Sequence, residues 1–161
     1  MKIIEYDRKK AVEYASEWAK NRNPNFYNFD AIGGDCTNFV SQCLYAGCKV
    51  MNYQKIFGWY YNSIYDRAPA WTGVEFLYSF LLKDNRIGPF ASLTDRINIE
   101  LGDVIQLGHA NGDYFHTLIV TSLSNNDIYL SSHTRDFYNA PLYFFNYSLI
   151  RYLHIEGVYV N

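Results

Sequence analysis

Apolar residues in the first hundred positions recur at three- and four-residue spacing, and after about residue 100 they alternate with polar ones. The first pattern is that of amphipathic helices and the second that of half-buried strands. A first helix is expected from Arg8 to Asn21, with Ala11, Tyr14, Ala15 and Trp18 on one face, Asp7 as N-cap, and Asn21 to Asn25 ending it. A second is expected from Cys36 to Ala46, with Phe39, Val40, Cys43 and Leu44 as its buried stripe, Asp35 as N-cap and Gly47 as the residue that stops it. A third runs from Gly73 to Lys83 behind Thr72, and the aromatic stretch from Phe57 to Trp71 reads as a long loop or short helical turns. Strands are expected at Asp103–Leu107, Phe115–Leu123, Ile128–Thr134 and Tyr152–Val160, with a hairpin turn at Ser124–Asp127 and a loop containing Pro141 after the third. Helices first and antiparallel strands afterwards make an α+β fold, N-terminal helices packed on a C-terminal sheet, in one domain over residues 1–161.

Composition narrows the partners. The chain has 161 residues, enough for a core without disulfides or a structural metal, and its 49% hydrophobic content is that of an ordered protein. A net charge of −2 offers no basic patch for nucleic acid. No apolar run reaches the length of a membrane span. The acidic opening has no apolar leader segment, which leaves the location open: the cell wall or extracellular space if the domain is exported by another route or cut from a precursor, otherwise the cytoplasm. A monomer is expected. Aromatic residues reach 19%, with 16 Tyr, which suits either half-buried strand positions or a cleft for sugars and extended peptides. On a shared helix Cys36 and Cys43 would lie about 10.5 Å apart at ~1.5 Å per residue, beyond disulfide reach.

Candidate chemistry begins at Cys36. It opens a helix directly behind Gly33-Gly34-Asp35. A helix N-terminus carries partial positive charge and free N–H groups, which favour a thiolate and can hold a tetrahedral oxyanion. The available bases are His109, His116, His133 and His154. His116 starts a strand on the same face as Leu118 and Val120, toward the core side, which suits a base at a sheet edge. The turn at 124–127 makes opposing positions sum to roughly 249–251, placing His116 across from residues 133 to 135. His133 or a neighbour could then orient the imidazole, with Asp136 as the alternative and Ser132 and Thr134 as weaker ones.

The run Gly34-Asp35-Cys36-Thr37-Asn38-Phe39-Val40-Ser41-Gln42 resembles the nucleophile motif of the NlpC/P60 and CHAP cell-wall hydrolases. Together with Gly58-Trp59, Gly102-Asp103-Val104-Ile105-Gln106, His116-Thr117-Leu118-Ile119-Val120, Ser132-His133-Thr134-Arg135-Asp136 and the opening Tyr6 to Val12, the chain is most similar to the putative amidase domain family, over nearly its whole length. That resemblance implies a papain-like fold, no cofactor and cleavage of an amide bond in peptidoglycan. It makes Cys36 the nucleophile, with its backbone N–H as an oxyanion donor, His116 the base and His133 the orienter, and leaves Asp136 as a structural alternative. Trp59, Trp71 and Asp35 are candidate substrate contacts, and Asn28 a candidate second oxyanion donor. The divergent middle, Tyr53 to Ile99, leaves the bond cleaved open.

Two other readings compete. A zinc site would need paired ligands, but neither Cys-x-x-Cys nor His-Glu-x-x-His occurs. A catalytically inactive peptide- or glycan-binding module would use the aromatic surface alone. A papain-like enzyme could also act on other amides, such as isopeptides.

Overall fold

A computed structural model describes all residues from Met1 to Asn161. The fold is α+β with an antiparallel sheet. In chain order the elements are β1 (Lys2–Ile4), α1 (Arg8–Trp18), α2 (Cys36–Cys48), β2 (Tyr61–Ser63), β3 (Asp66–Arg67), α3 (Pro69–Thr72), α4 (Val74–Leu81), β4 (Gly88–Thr94), β5 (Val104–Gly108), β6 (Tyr114–Leu123), β7 (Ile128–Ser132), β8 (Phe137–Pro141) and β9 (Leu149–Val160). The main sheet runs β1-β9-β5-β6-β7-β8, with β4 on the opposite edge of β9, while β2 and β3 form a small separate ribbon.

The sheet is therefore not confined to the C-terminal half. Period-two reading missed β1, β4 and β8. β1 has only three residues, all exposed, so it shows no alternation. β4 opens on Gly88-Pro89 and shifts register between Phe90 and Ala91, which breaks its pattern. β8 ends on Pro141, tolerated because β8 is the edge strand.

The second helix overruns its expected stop. Gly47 lies inside α2, and Lys49 in a left-handed conformation (φ 63°) ends the helix. Gly47 serves close approach instead: a Cβ there would lie 2.5 Å from the Tyr6 ring, and its carbonyl accepts from the Asp7 N–H at 2.9 Å. The opening segment is pinned twice more. The Tyr6 hydroxyl donates to the Gly102 carbonyl at 2.8 Å, and Arg8 pairs with the fully buried Asp103 at 2.7 Å.

Both faces of the sheet are covered. On one, Val104, Ile119, Leu153, Ile155 and Val158 pack against α1, α2, α4 and the tryptophans Trp59 and Trp71. On the other, Ile105, Leu107, Leu118 and Val120 form a smaller cluster with Leu130 and Leu142. Eleven of the thirteen α2 residues are buried, because its polar residues are matched by neighbours. Trp71 Nε1 donates to Asn38 Oδ1 at 3.0 Å, Trp59 Nε1 to Ser41 Oγ at 3.0 Å, and the Tyr14 hydroxyl to Gln42 Oε1.

Candidate active site

Cys36 is the first residue of α2, as the sequence predicts, and is only 7% exposed. The helix start is held by its flanking loops. Gly33 and Gly34 both take positive φ (82° and 98°), a conformation that side chains rarely adopt. The Asp35 N–H donates to Thr134 Oγ1 at 3.1 Å, and a Cβ on Gly34 would come within 3.2 Å of that same oxygen. Thr134 and Arg135 themselves adopt positive φ (65° and 62°), unusual for non-glycine residues and above all for a β-branched one.

That kink decides where β6 is open. β6 and β7 pair from Leu123↔Ile128 to Ile119↔Ser131, and no further. Extended, the register would set His116 opposite Thr134, as expected from the turn, but the backbone leaves the sheet at that point. The start of α2 lies against β6 here: Thr37 Oγ1 and Thr117 Oγ1 are 2.9 Å apart. His116 is the residue before Thr117. It faces the same side of the strand as Leu118 and Val120, in the cluster away from the helices, and it pairs with Leu107 across β5. At the end of the strand this side opens into a cleft of about 310 Å³ that Cys36 and His116 both line.

Burial sets the charge state of the two groups. It pushes the Cys36 thiol up from its ordinary value, against the N–H groups of Thr117 and Thr37 and the Thr37 hydroxyl, which pull it down. It brings the His116 imidazole down to about 4. At neutral pH the pair is thiol and neutral imidazole, so His116 is free to accept a proton.

Comparison with known proteins gives the family. A family model described as a putative amidase domain matches residues 5–155. The chain belongs to this amidase family. Two proteins of Bacillus subtilis (strain 168), both named only as uncharacterized, are similar to it. YjcM is 34% identical over 81% of this chain, and YhbB 30% identical over 75%. The aligned segments make up 31% and 39% of those proteins, so the amidase domain spans about a third of the relatives it matches. No solved structure gives a significant match.

The candidate site departs from the sequence expectation at several residues. His133 does not reach His116. Its Nδ1 lies 2.5 Å from Asp35 Oδ2 and its Nε2 donates to the Trp18 carbonyl at 2.8 Å, so both ring nitrogens are engaged elsewhere. His133 is 1% exposed and its ring stacks on Phe39 with centroids 4.1 Å apart. The reason is parity: His133 follows Ser131 on the helix face of the sheet, whereas His116 points to the other face. Asp136 is also unavailable, forming a two-pronged pair with Arg22 at 2.9 Å for each nitrogen. The His116 ring makes no hydrogen bond to another protein group.

Asp35 occupies the N-cap position but does not cap, and it is not a substrate contact. It is fully buried, and its Oδ1 accepts from the Phe29 N–H (2.8 Å) and Asn38 Nδ2 (2.9 Å). Trp59 and Trp71 are fully buried too, packed on each other with centroids 4.7 Å apart, and they anchor α2 instead of lining a groove. Asn28 is exposed, accepts from the Asp30 N–H, and stands outside the cleft. The cleft wall comes instead from Phe115, Phe137, Phe144 and Phe145, with Asn146 and Arg135 supplying polar groups. The aromatic run Tyr143-Phe144-Phe145-Asn146-Tyr147 was visible in the sequence, but nothing local marked it as facing Cys36.

Proposed function

We propose that this domain is a cysteine-dependent amide hydrolase of papain-like type, acting on peptidoglycan through a thioester. The observation that carries this reading is the meeting of Cys36, at the mouth of α2, with His116, at the open end of β6, in one cleft. In this mechanism His116 takes the thiol proton as the sulfur attacks the amide carbonyl. The Cys36 N–H, one of the first-turn donors without an intrahelical partner, holds the developing oxyanion. The imidazolium then protonates the leaving amine. Water, deprotonated by His116, releases the acid and restores the thiol. The neutral resting pair fits general-base catalysis better than a preformed thiolate–imidazolium, because burial disfavours both charges.

The walls suit a ligand with a flat apolar face and an anionic group. Phe115 and Phe144 are 39% and 63% exposed, and the Arg135 guanidinium makes no ion pair within the protein. A sugar face and a stem-peptide carboxylate would supply those two complements. The test is digestion of purified peptidoglycan, with new ends identified by mass spectrometry. A freed muramic lactyl carboxylate marks an N-acetylmuramoyl-L-alanine amidase, and a new amino terminus within the stem marks an endopeptidase. Cys36→Ser abolishes either product.

One observation favours a second reading, that of a catalytically inactive module binding peptide or glycan. The His116 ring lacks an orienting partner. Peptidoglycan retained by the domain without new ends in the digest would select this alternative.

A further inference from the structure

We propose that His133 is a positioning residue: an imidazolium that, paired with Asp35, fixes the start of α2 and so the aim of the Cys36 sulfur. The inference rests on Cys36 being the nucleophile of the proposed function, and it goes beyond that reading in giving His133 a role other than orienting the base.

The protonation state follows from counting donors. The Trp18 carbonyl can only accept, so His133 Nε2 carries a proton. On the other side Nδ1 faces Asp35 Oδ2 at 2.5 Å. Either Asp35 is a carboxylate and Nδ1 also carries a proton, or Asp35 is the acid and donates to Nδ1. The surroundings decide for the carboxylate. Asp35 Oδ1 already accepts two N–H groups, from Phe29 and Asn38, and the Arg22 Nε stands 3.4 Å from Oδ2 without hydrogen-bond geometry. Arg22 alone does not neutralise the cluster, since its terminal nitrogens are taken by Asp30 (2.7 Å) and Asp136 (2.9 Å). Three carboxylates therefore surround one guanidinium, and a fully buried carboxylate is costly without a cation of its own. His133 is that cation. The remaining neighbours are uncharged: Phe39 of α2 stacks on the ring, and the Tyr14 hydroxyl of α1 is committed to Gln42.

The consequence for the site is geometric. Asp35 precedes Cys36, and it is gripped at its carboxylate by His133 and at its backbone N–H by Thr134. Two consecutive residues after β7 thus hold the residue before the nucleophile. They are the same segment whose left-handed backbone opens β6 to the cleft.

The experiment uses the full chain and no substrate. In 15N-histidine-labelled protein at pH 8, His133 is expected to show two protonated ring nitrogens, assigned by their loss in His133→Gln. An unprotonated ring nitrogen on His133 overturns the proposal. Separately, iodoacetamide labelling of Cys36 is followed by mass spectrometry in His133→Leu and His133→Gln. His133→Leu is expected to slow labelling about tenfold or more, as for a displaced reacting group. His133→Gln should fall between, because its amide still donates to Asp35. Wild-type labelling rates in both folded variants would overturn the positioning role. If His133→Leu does not fold, His133→Gln and the nitrogen signals decide. Failure of the hydrolase reading looks different: Cys36 labelling then ignores His116→Ala, whatever His133 does.

Discussion

Thr37 Oγ1 and Thr117 Oγ1 lie 2.9 Å apart, and each belongs to the residue that follows a member of the proposed dyad. Gln106 Nε2 donates to Thr117 Oγ1 at 3.2 Å, and its Oε1 accepts from Arg151 Nε at 2.8 Å, which fixes the amide's orientation. Thr117 Oγ1 accepts from Gln106, the Thr37 and Thr117 hydroxyls share a hydrogen bond in which either can donate, and Thr37 Oγ1 lies 3.8 Å from the Cys36 sulfur. Helix and strand are thus joined by a buried polar relay ending at the thiol. Thr117→Val leaves the Gln106 amide and the Thr37 oxygen short of partners, at a cost of ~1–3 kcal/mol in urea unfolding. Thr37→Val should cost a similar amount, and the double variant less than the sum. Thr37→Val should also move the pH profile of Cys36 alkylation upward, because a donor to the thiolate is lost. Additive costs with an unmoved profile would disprove the relay.

His116 gives a pH signature of stability. Burial lowers its value in the folded state to about 4, below the 6.5 of the free side chain. Between those values the unfolded chain binds the extra proton, so stability is fully present above about 6.5 and lost as the pH falls toward 4. His116→Gln should flatten that acid loss by on the order of 2–3 kcal/mol relative to wild type, measured by urea unfolding at pH 7 and pH 4.5. Equal acid sensitivity in both proteins would show that the ring is solvated. For the same reason the acid limb of hydrolysis should fall near pH 4, well below the usual histidine range.

Thiol accessibility should separate the three cysteines. All are free and buried, but Cys36 alone lines the cleft, while Cys43 is fully buried and burial pushes the Cys48 thiol up to about 12. A chromogenic disulfide reagent should titrate one thiol quickly in the native protein and three in urea. Peptide mapping should place the fast one at Cys36; fast modification of Cys43 would contradict the packing of α2.

The buried and exposed aromatics should behave oppositely. Trp71→Ala removes a fully buried ring and the donor to Asn38, and should cost ~3–5 kcal/mol. Phe144→Ala, at a side chain 63% exposed, should change stability by no more than ~0.5 kcal/mol and weaken peptidoglycan binding in a pull-down. The reverse pattern would return the substrate groove to the tryptophans.

What the sequence determined by itself is local. The period of its apolar residues marked α1, α2, α4 and most of β5, β6, β7 and β9, and Gly-Gly-Asp before Cys36 marked the mouth of a helix, because propensity, capping and side-chain period act over a few residues. The hairpin turn even set the β6–β7 register. What only tertiary structure decided is which faces meet. Strand parity already sends His133 to the helix face, where it reaches Asp35, but no count along the strands could reveal that Thr134 and Arg135 leave the sheet before reaching His116. Trp59 and Trp71 go inward because α2, buried on nearly every side, needs donors for Asn38 and Ser41, whereas Phe144, two residues beyond Leu142, stays outside at the cleft. Burial and hydrogen-bond pairing between distant segments made those choices, and neither is written in any one segment.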